Sequence, residues 1–401
     1  MTTVIDPVEV TPHESTGTTI PRLDGVPQGA MRALGGISRD DAGNMAGAAA
    51  SAVCTALLLF GRLTPLSGPL GFVVVAYVIF LVVFAFLVSL SDSRPVVVDK
   101  VMAVLLSTAA AVAFLALFTV IVFTLWRGRV ALFKSNFYAQ DMSSAGPADP
   151  LTVGGISHAI VGTLIIITIA TVITVPLGLT CAVFLNESRS RGAQLVRTVV
   201  DAMTALPSIL AGLFIFATWI LILGFERSAL AAALAVTIMM LPIVIRSADV
   251  VLRLVPGSLR EASAATGAPQ WRTVWHVVLP TARSGLATSV ILGVARGVGE
   301  TAPVLLTSGV TGAMNLSPLE NPMMSLPLAT FEFVRSPEPA LIARGFATAA
   351  VLMVVVLVLF AAARALGGRP AGRLSKRQAR RVAQRSTRDV ARFERRTEAV
   401  G

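Results

Sequence analysis

The sequence predicts an all-α integral membrane protein. Of its 401 residues, 55% are hydrophobic and only 14% are charged, whereas a soluble domain carries roughly 25% charged residues. The mean hydropathy is +0.78. The apolar stretches reach the ~20 residues that a membrane helix needs. They lack the alternation over roughly ten residues that is typical of a membrane β-barrel.

Apolar runs divide the chain into eight candidate spans. They lie near residues 46–63, 70–90, 102–126, 157–185, 205–224, 229–251, 284–307 and 341–363. The first run is the weakest because it is short and rich in Ala, with Arg62 at its edge. We expect four regions: a disordered cytoplasmic tail 1–44, an additional transmembrane hairpin 45–100, a transmembrane domain 101–364, and a basic cytoplasmic tail 365–401.

The distribution of charge predicts the orientation. Net charge is +11, and twelve of the 33 Lys and Arg residues lie between Arg364 and Arg396, directly after the last run. A basic segment in this place marks the cytoplasmic side and attracts anionic lipid, so nucleic-acid binding is not expected. Eight spans then place both termini in the cytoplasm, with the arginine-rich loops 186–204 and 252–283. Loop 127–156 is also basic and fits this orientation less well.

Metal and cofactor chemistry finds no support in the sequence. Cys54 and Cys181 fall inside apolar runs, and His13 and His158 lack a ligand at helical spacing. A Gly-rich stretch at 368–373 lacks the Lys-Ser/Thr ending of a phosphate loop. We expect no metal ligand, no ATP site and no enzymatic activity in this chain.

The loop 256–280 has the pattern of two short helices. Ser258 and Glu261 have the spacing of a capping box, in which each side chain accepts a hydrogen bond from the backbone N–H of the other residue. Gly267 suits a left-handed cap at the end of the first helix. The sequence therefore predicts a rigid pair of helices with an elbow at Gly267.

The second helix of this loop is predicted to be amphipathic. Pro269 suits its first turn, and Trp271, Trp275 and Val278 recur on one face before Pro280 ends the helix. Two interpretations remain open on physical grounds. The helix pair either packs on lipid headgroups or docks in the groove of a partner protein.

Two charged residues lie inside the run 284–307. Arg296 and Glu300 are four residues apart, which places them on the same face of a helix. Each charge costs about 2.5–3.5 kcal/mol at the bilayer centre, so such residues usually face the bundle interior. They form either a structural ion pair or a site for anion translocation. Pro207 and Pro242 are expected to break helices, as packing kinks or as hinges.

The stretch EASAATGA followed by VVLP resembles the EAA loop of bacterial ABC importer permeases. The matching positions are Glu261, Ala262, Gly267, Leu279 and Pro280, while a Ser replaces the second Ala. In that family the loop is a coupling helix that inserts into a groove on a cytoplasmic ATPase subunit. The resemblance therefore favours docking over lipid contact.

The stretch ARGVGETAP is similar to the membrane subunits of phosphate-specific ABC importers of the PstA type, and ALPSILAGLF and LPLATFEFVRSP agree with it. The resemblance covers about residues 102–364. It implies a MetI-like ABC importer permease fold with six core spans, preceded here by a two-span N-terminal extension. It also implies that inorganic phosphate is translocated, with Arg246, Arg296 and Glu300 as the transport site.

The same resemblance implies partners. These are a second permease subunit of the PstC type, a pair of PstB-type ATPase subunits that bind ATP and Mg, an extracytoplasmic phosphate-binding protein of the PstS type, and membrane lipid. Two other functions stay open: an ABC permease for molybdate or sulfate, and a secondary transporter. The GETAP stretch favours phosphate, and paired broken helices, which would favour a secondary transporter, are not evident in the sequence.

Reporter fusions test the predicted orientation. Because the basic tail should stay in the cytoplasm, we expect a cytoplasm-active reporter fused after Gly401 to be active. The same reporter inserted in the loop 308–340 should be inactive, although both proteins reach the membrane. Activity of only the loop insertion would overturn the orientation.

Overall fold

The computed structural model describes residues 39–63, 68–188 and 190–366, together with Ser386. In this part of the chain all regular structure is helical. The α-helices are α1 Arg39–Leu58, α2 Pro69–Ser89, α3 Arg94–Leu132, α4 Ser135–Ala139, α5 Ser157–Glu187, α6 Arg191–Thr204, α7 Ser208–Ile215, α8 Ala229–Arg253, α9 Gly257–Ala265, α10 Gln270–Thr273, α11 Leu279–Val298, α12 Ala302–Thr307, α13 Leu326–Val334 and α14 Pro339–Leu366. Three π-helical segments follow α1, α7 and α10, at Leu59–Leu63, Phe216–Ile222 and Val274–Val278.

The chain divides into two compact units, Met1–Phe114 and Leu115–Gly401. The division falls inside α3, and the predicted hairpin 45–100 lies within the first unit. There Lys100 donates hydrogen bonds to Asp41 at 2.6 Å and to Asp92 at 2.7 Å. Most of the two predicted tails, 1–44 and 365–401, lies outside the described residues, although α1 already begins at Arg39.

Helix α8 lies at the centre of the second unit. Its neighbours include α5 and α11, and glycines stand where these helices come closest to it. A Cβ on Gly178 of α5 would lie 2.9 Å from Val244, and one on Gly293 of α11 would also meet Val244. In lipid, small residues permit close packing that the hydrophobic effect does not drive. The small residues therefore fix how α5 and α11 seat on α8.

Seven described helices are long and apolar enough to cross a membrane. The predicted runs 70–90, 157–185, 229–251 and 341–363 are confirmed by α2, α5, α8 and α14. The run 102–126 is the middle of α3, whose 39 residues extend about 58 Å. This is about twice the thickness of the hydrocarbon core, so α3 continues well past the predicted span.

The run 205–224 is not one straight helix, and the predicted eighth span in this place stays a prediction. The predicted loop 186–204 contains α6, which Ser190 caps by accepting from the backbone N–H of Ala193. The chain then breaks, and α7 begins after Pro207, bent by 106° from α6. The break follows from proline chemistry, because Pro disfavours the helical conformation of the residue before it. An eighth span exists only if the bent pair counts as one.

The run 284–307 is also interrupted. Helix α11 ends at Val298, Gly299 caps it, and α12 begins at Ala302. Glu300 therefore lies in the break. The sequence had predicted it on a helix together with Arg296. Glycine at the cap and proline in the first turn of α12 are the ordinary signals for such a break.

Pro280 does not end the second loop helix, contrary to the prediction. The helix runs without interruption from Gln270 to Val298 through the π-helical segment. In that segment Leu279 donates its N–H to the carbonyl of Val274, five residues back. The wide turn shifts the hydrogen-bond register just before Pro280, which lacks an N–H of its own.

Pro242 does not break its helix either. It is buried within α8, which continues from Ala229 to Arg253. Neighbouring helices surround this part of α8, and such packing allows proline inside a membrane helix. Pro176 lies inside α5 in the same way.

Polar contacts hold the loop before α5 and join it to the loop between α12 and α13. Arg344 of α14 is 1% exposed and donates to the carbonyls of Pro150, at 2.9 Å, and Val153. The carboxylate of Asp141 accepts from the Ser143 hydroxyl at 2.7 Å and from the Met314 N–H at 3.0 Å. These bonds, that of Ser143 first, lower the pKa of Asp141.

Candidate transport and coupling site

The first helix of the loop 256–280 starts two residues earlier than predicted. Pro256 is the residue before α9, and no side chain caps the helix, so the predicted capping box of Ser258 and Glu261 is wrong. Because α9 begins at Gly257, Ser258 is already inside the first turn and is not at the capping position. Glu261 and Ala262 are both exposed on α9.

The elbow at Gly267 is confirmed. Its φ is +75°, in the left-handed region, and nothing lies within 4 Å of where a Cβ would stand. Gly267 donates to Ala264 at 2.9 Å and Ala268 donates to Ser263 at 3.4 Å, which together make a Schellman cap. The Ser263 hydroxyl also lies 2.8 Å from that of Thr273. This bond joins the two short helices and gives a role to the Ser that replaces Ala.

The predicted apolar face of the second helix is divided in the structure. Trp271 and Trp275 are 60% and 66% exposed, whereas Val278 is 1% exposed and belongs to a buried cluster. The π-helical segment explains the difference, because its wider turn changes the angle between residues seven apart. Leu279 packs on the same cluster as Val278, and Pro280 is exposed.

Glu187 fastens both short helices to the end of α5, a contact that sequence reasoning missed. Arg260 of α9 forms an ion pair with Glu187 and donates to Asn186 at 2.8 Å. Gln270, at the start of α10, donates to the other Glu187 carboxylate oxygen at 3.1 Å. The only sequence signal for this anchor is an acid at the end of an apolar run, next to an arginine-rich loop.

Arg296 and Glu300 come together as predicted. Arg296 lies in the last turn of α11, and its Nε is 3.1 Å from Glu300 Oε1. The side chain of Glu300 is 7% exposed and that of Arg296 is 56% exposed. Among the described residues, Glu300 Oε1 accepts no hydrogen bond. The pair is therefore an electrostatic contact between a buried carboxylate and a guanidinium that stays largely open.

Arg246 has a partner that the sequence did not indicate. It forms an ion pair with Asp201 of α6, and both side chains are about half exposed. Arg246 is thus directed to α6, whereas Arg296 is paired with Glu300. The three carried-over residues are not in one cluster of direct contacts.

The two prolines proposed as hinges differ in setting. Pro207 is exposed at the sharp bend before α7, and Pro242 is buried inside α8. Helix α7 packs on α12, where a Cβ on Gly212 would lie 2.5 Å from the Cα of Pro303. The bend at Pro207 therefore sets the position of α7 beside the break that contains Glu300.

The sequence has well-defined relatives. Residues 174–370 match the family of binding-protein-dependent transport system inner membrane components. Phosphate transport system permease protein PstA 1 of Mycobacterium tuberculosis (strain ATCC 25618 / H37Rv) is 40% identical over 248 residues, which are 61% of this chain and 80% of that protein. The chain belongs to the PstA permease family. The PstA protein of Mycobacterium leprae (strain TN) is also 40% identical, over 59% of this chain and 78% of its own length.

A solved structure of the MetNI methionine ABC transporter, in inward-facing conformations, is similar with 20% identity and a TM-score of 0.43, over 53% of this chain and 93% of that one. Family membership and the all-helical structure confirm the predicted all-α permease fold. The permease is a multi-pass membrane protein and one subunit of an ABC importer, and its family is not enzymatic.

The Glu187 anchor is testable in the full-length permease. Glu187→Gln removes the charge that holds Arg260, so the loop 256–280 should open more often. We expect faster hydrogen–deuterium exchange over residues 257–273, by roughly tenfold for a lost charged hydrogen bond. Glu226→Gln, a change of equal charge at an exposed site, should leave exchange in this segment unchanged. Equal exchange in both variants would refute the anchor.

Proposed function

We propose that this chain is the membrane-spanning permease subunit of an ATP-driven importer that translocates inorganic phosphate into the cytoplasm. The observation that carries the proposal is the open guanidinium of Arg296 beside a buried carboxylate, in a chain 40% identical to PstA permeases. A charged pair of this kind between membrane helices is costly, and such residues usually serve an ion pathway.

The geometry of the pair suits a phosphate ion. Arg296 faces Glu300 with its Nε, so its two terminal nitrogens remain for two oxygens of one anion. A guanidinium fork of this kind binds phosphate in a bidentate way. Glu300 fixes the orientation of Arg296 and also competes with the anion for its charge. Binding that is moderate in this way allows the ion to leave again, as conduction requires.

Arg246 is proposed as a second station. Its partner Asp201 lies on α6, and about half of each side chain is exposed, so an anion can reach the guanidinium. The pair resembles Arg296 and Glu300, because a carboxylate orients the arginine and reduces the affinity of the arginine for the anion. Movement of phosphate from Arg296 to Arg246 would then be a transfer between two matched sites.

The loop 256–280 is the proposed docking element for the ATPase subunits. Trp271 and Trp275 are exposed, and aromatic residues are the usual anchors of protein interfaces. The partners we propose are a pair of PstB-type ATPases, which would bind ATP and Mg, a PstC-type permease subunit and a PstS-type phosphate-binding protein. Glu261, Ala262, Gly267, Leu279 and Pro280 are the positions that the resemblance assigns to coupling.

Both termini are proposed to be cytoplasmic, in the inner membrane. This arrangement requires an even number of crossings. The seven straight helices alone would place the termini on opposite sides, so the bent pair of α6 and α7 must cross once.

Gly267→Val should uncouple ATP hydrolysis from transport. Valine at a φ of +75° is strained by about 1–2 kcal/mol or more, so the elbow between α9 and α10 must change. We expect the assembled complex to hydrolyse ATP while phosphate uptake in vesicles falls at least tenfold. Gly257→Val is the matched control, since Gly257 also has open space but no left-handed φ. Full coupling in the Gly267 variant would refute the docking role.

Arg296→Gln should abolish phosphate uptake and leave the complex in the membrane. Glutamine keeps a polar donor but removes the charge that binds the anion. Uptake and membrane abundance are measured in the same cells, with Arg283→Gln on the same helix as the control. Normal uptake would remove the site assignment. Loss of abundance would instead identify the pair as structural, because Glu300 would be left buried and unpaired.

A further inference from the structure

A polar cavity lies at the end of the second unit that carries the loop 256–280. Its volume is about 470 Å³, and its walls are the end of α5, the start of α6 and the end of α8. Three arginines line it, Arg191, Arg197 and Arg253. The proposed transport site does not include this cavity, because Arg296 lies at the far end of α11 from that loop.

Positive charge in the cavity exceeds negative charge. Asp249 is the carboxylate that meets these arginines, at 2.8 Å from Arg253 and 3.5 Å from Arg197. Arg191 forms no ion pair among the described residues and is exposed. Two of the three guanidinium groups therefore share one carboxylate and the third has none, so the surplus is about two positive charges.

The local backbone adds to this preference for an anion. The cavity includes the start of α6, whose 14 residues align their dipoles with the positive end at the N-terminus. Ser188 and Ser190 stand at the same wall, with their hydroxyls 2.9 Å apart. The ends of α5 and α8 would oppose an anion, but Arg197 already donates to the Leu185 carbonyl at 3.3 Å. The opposing carbonyl charge is thus partly satisfied within the protein.

We propose that this cavity is a binding site for a phosphate-type oxyanion. Arg191 and Arg253 supply the main contacts, and Arg197 supports them through Asp249. The oxyanion has two possible sources with the same chemistry, free inorganic phosphate in solution or the phosphodiester of an anionic lipid headgroup. Both match the guanidinium geometry.

Occupancy of the cavity is placed to influence the coupling loop. Asn186 lines the cavity and also accepts the hydrogen bond from Arg260. An anion bound beside Asn186 would therefore strengthen the end of α5 at the point where Glu187 holds α9 and α10. If the anion is the imported one, the site senses the product; this regulatory consequence rests on the proposed function, whereas binding itself does not.

Hydrogen–deuterium exchange of the full-length chain tests the site. The segment 186–198 is followed in detergent with inorganic phosphate, and with sodium chloride at the same ionic strength as the control. For a free-phosphate site we expect phosphate to slow exchange in this segment and chloride to have no effect. Arg191→Gln or Arg253→Gln should raise the phosphate concentration needed for half of the effect by roughly tenfold, the loss of one charged hydrogen bond. Arg335→Gln, exposed and outside the cavity, should change nothing.

A second arm distinguishes the lipid source. The same chain is placed in nanodiscs of phosphatidylcholine alone or with phosphatidylglycerol, without added phosphate. Protection only with phosphatidylglycerol, lost in the Arg191 variant, identifies a headgroup site. Protection by free phosphate, lost in the same variant, identifies a solution site. Absence of protection in both arms, or protection that both arginine variants retain, overturns the proposal and leaves the transport function untouched.

Discussion

Close contact between helix backbones around α8 is the constraint on which the second unit depends. In lipid the apolar faces of helices gain little by leaving their surroundings, so packing quality and polar contacts must hold the bundle. The glycines of α11 supply that quality: a Cβ on Gly297 would lie 2.5 Å from the sulfur of Met240, and one on Gly285 would meet Val251. A side chain at either position would force Met240, Val251 or α11 itself to shift.

Buried acids organise the arginines of this protein. Glu187, Asp249 and Glu300 are largely buried, and each one faces at least one arginine that remains partly accessible. A carboxylate in such a place is tolerated only when a cation compensates it. The acid therefore fixes the arginine, and the arginine keeps spare donors for another partner. The same chemistry serves the coupling loop, the cavity at the end of α5 and the proposed transport site.

Sequence patterns predicted the long spans and the local conformations well. Hydropathy located α2, α5, α8 and α14, since it depends on composition alone. The left-handed Gly267 was predictable because the elbow is a property of one residue and its neighbours. The path of the chain was predicted only in part: proline indicated the break at Pro207, whereas the break after Val298 interrupts a run that was predicted as one span.

Contacts between residues distant in sequence were the features that the sequence analysis most often failed to predict. The ion pair of Arg260 with Glu187 joins residues 73 positions apart, and no local pattern reports it. The ion pair of Arg246 with Asp201 depends on the packing of α6 on α8, and no local pattern indicates it either. The predicted cap at Ser258 failed for a local reason, because the helix begins two residues earlier, at Gly257. Arg296 and Glu300 were found because their spacing is short enough to be read directly.

The unbroken helix from Gln270 to Val298 connects the loop 256–280 directly to the Arg296–Glu300 pair. Trp271 and Arg296 are separated along it by about 38 Å. Glu187 holds the loop end of this helix through Gln270, and the glycines of α11 pack against α8 along its other half. A tilt of the helix by about 5° about its loop end would displace Arg296 by roughly 3 Å, about the length of an ion-pair contact. If the loop 256–280 docks on an ATPase, as proposed, a movement of the two tryptophans reaches Arg296 along continuous helix, with no loop between them.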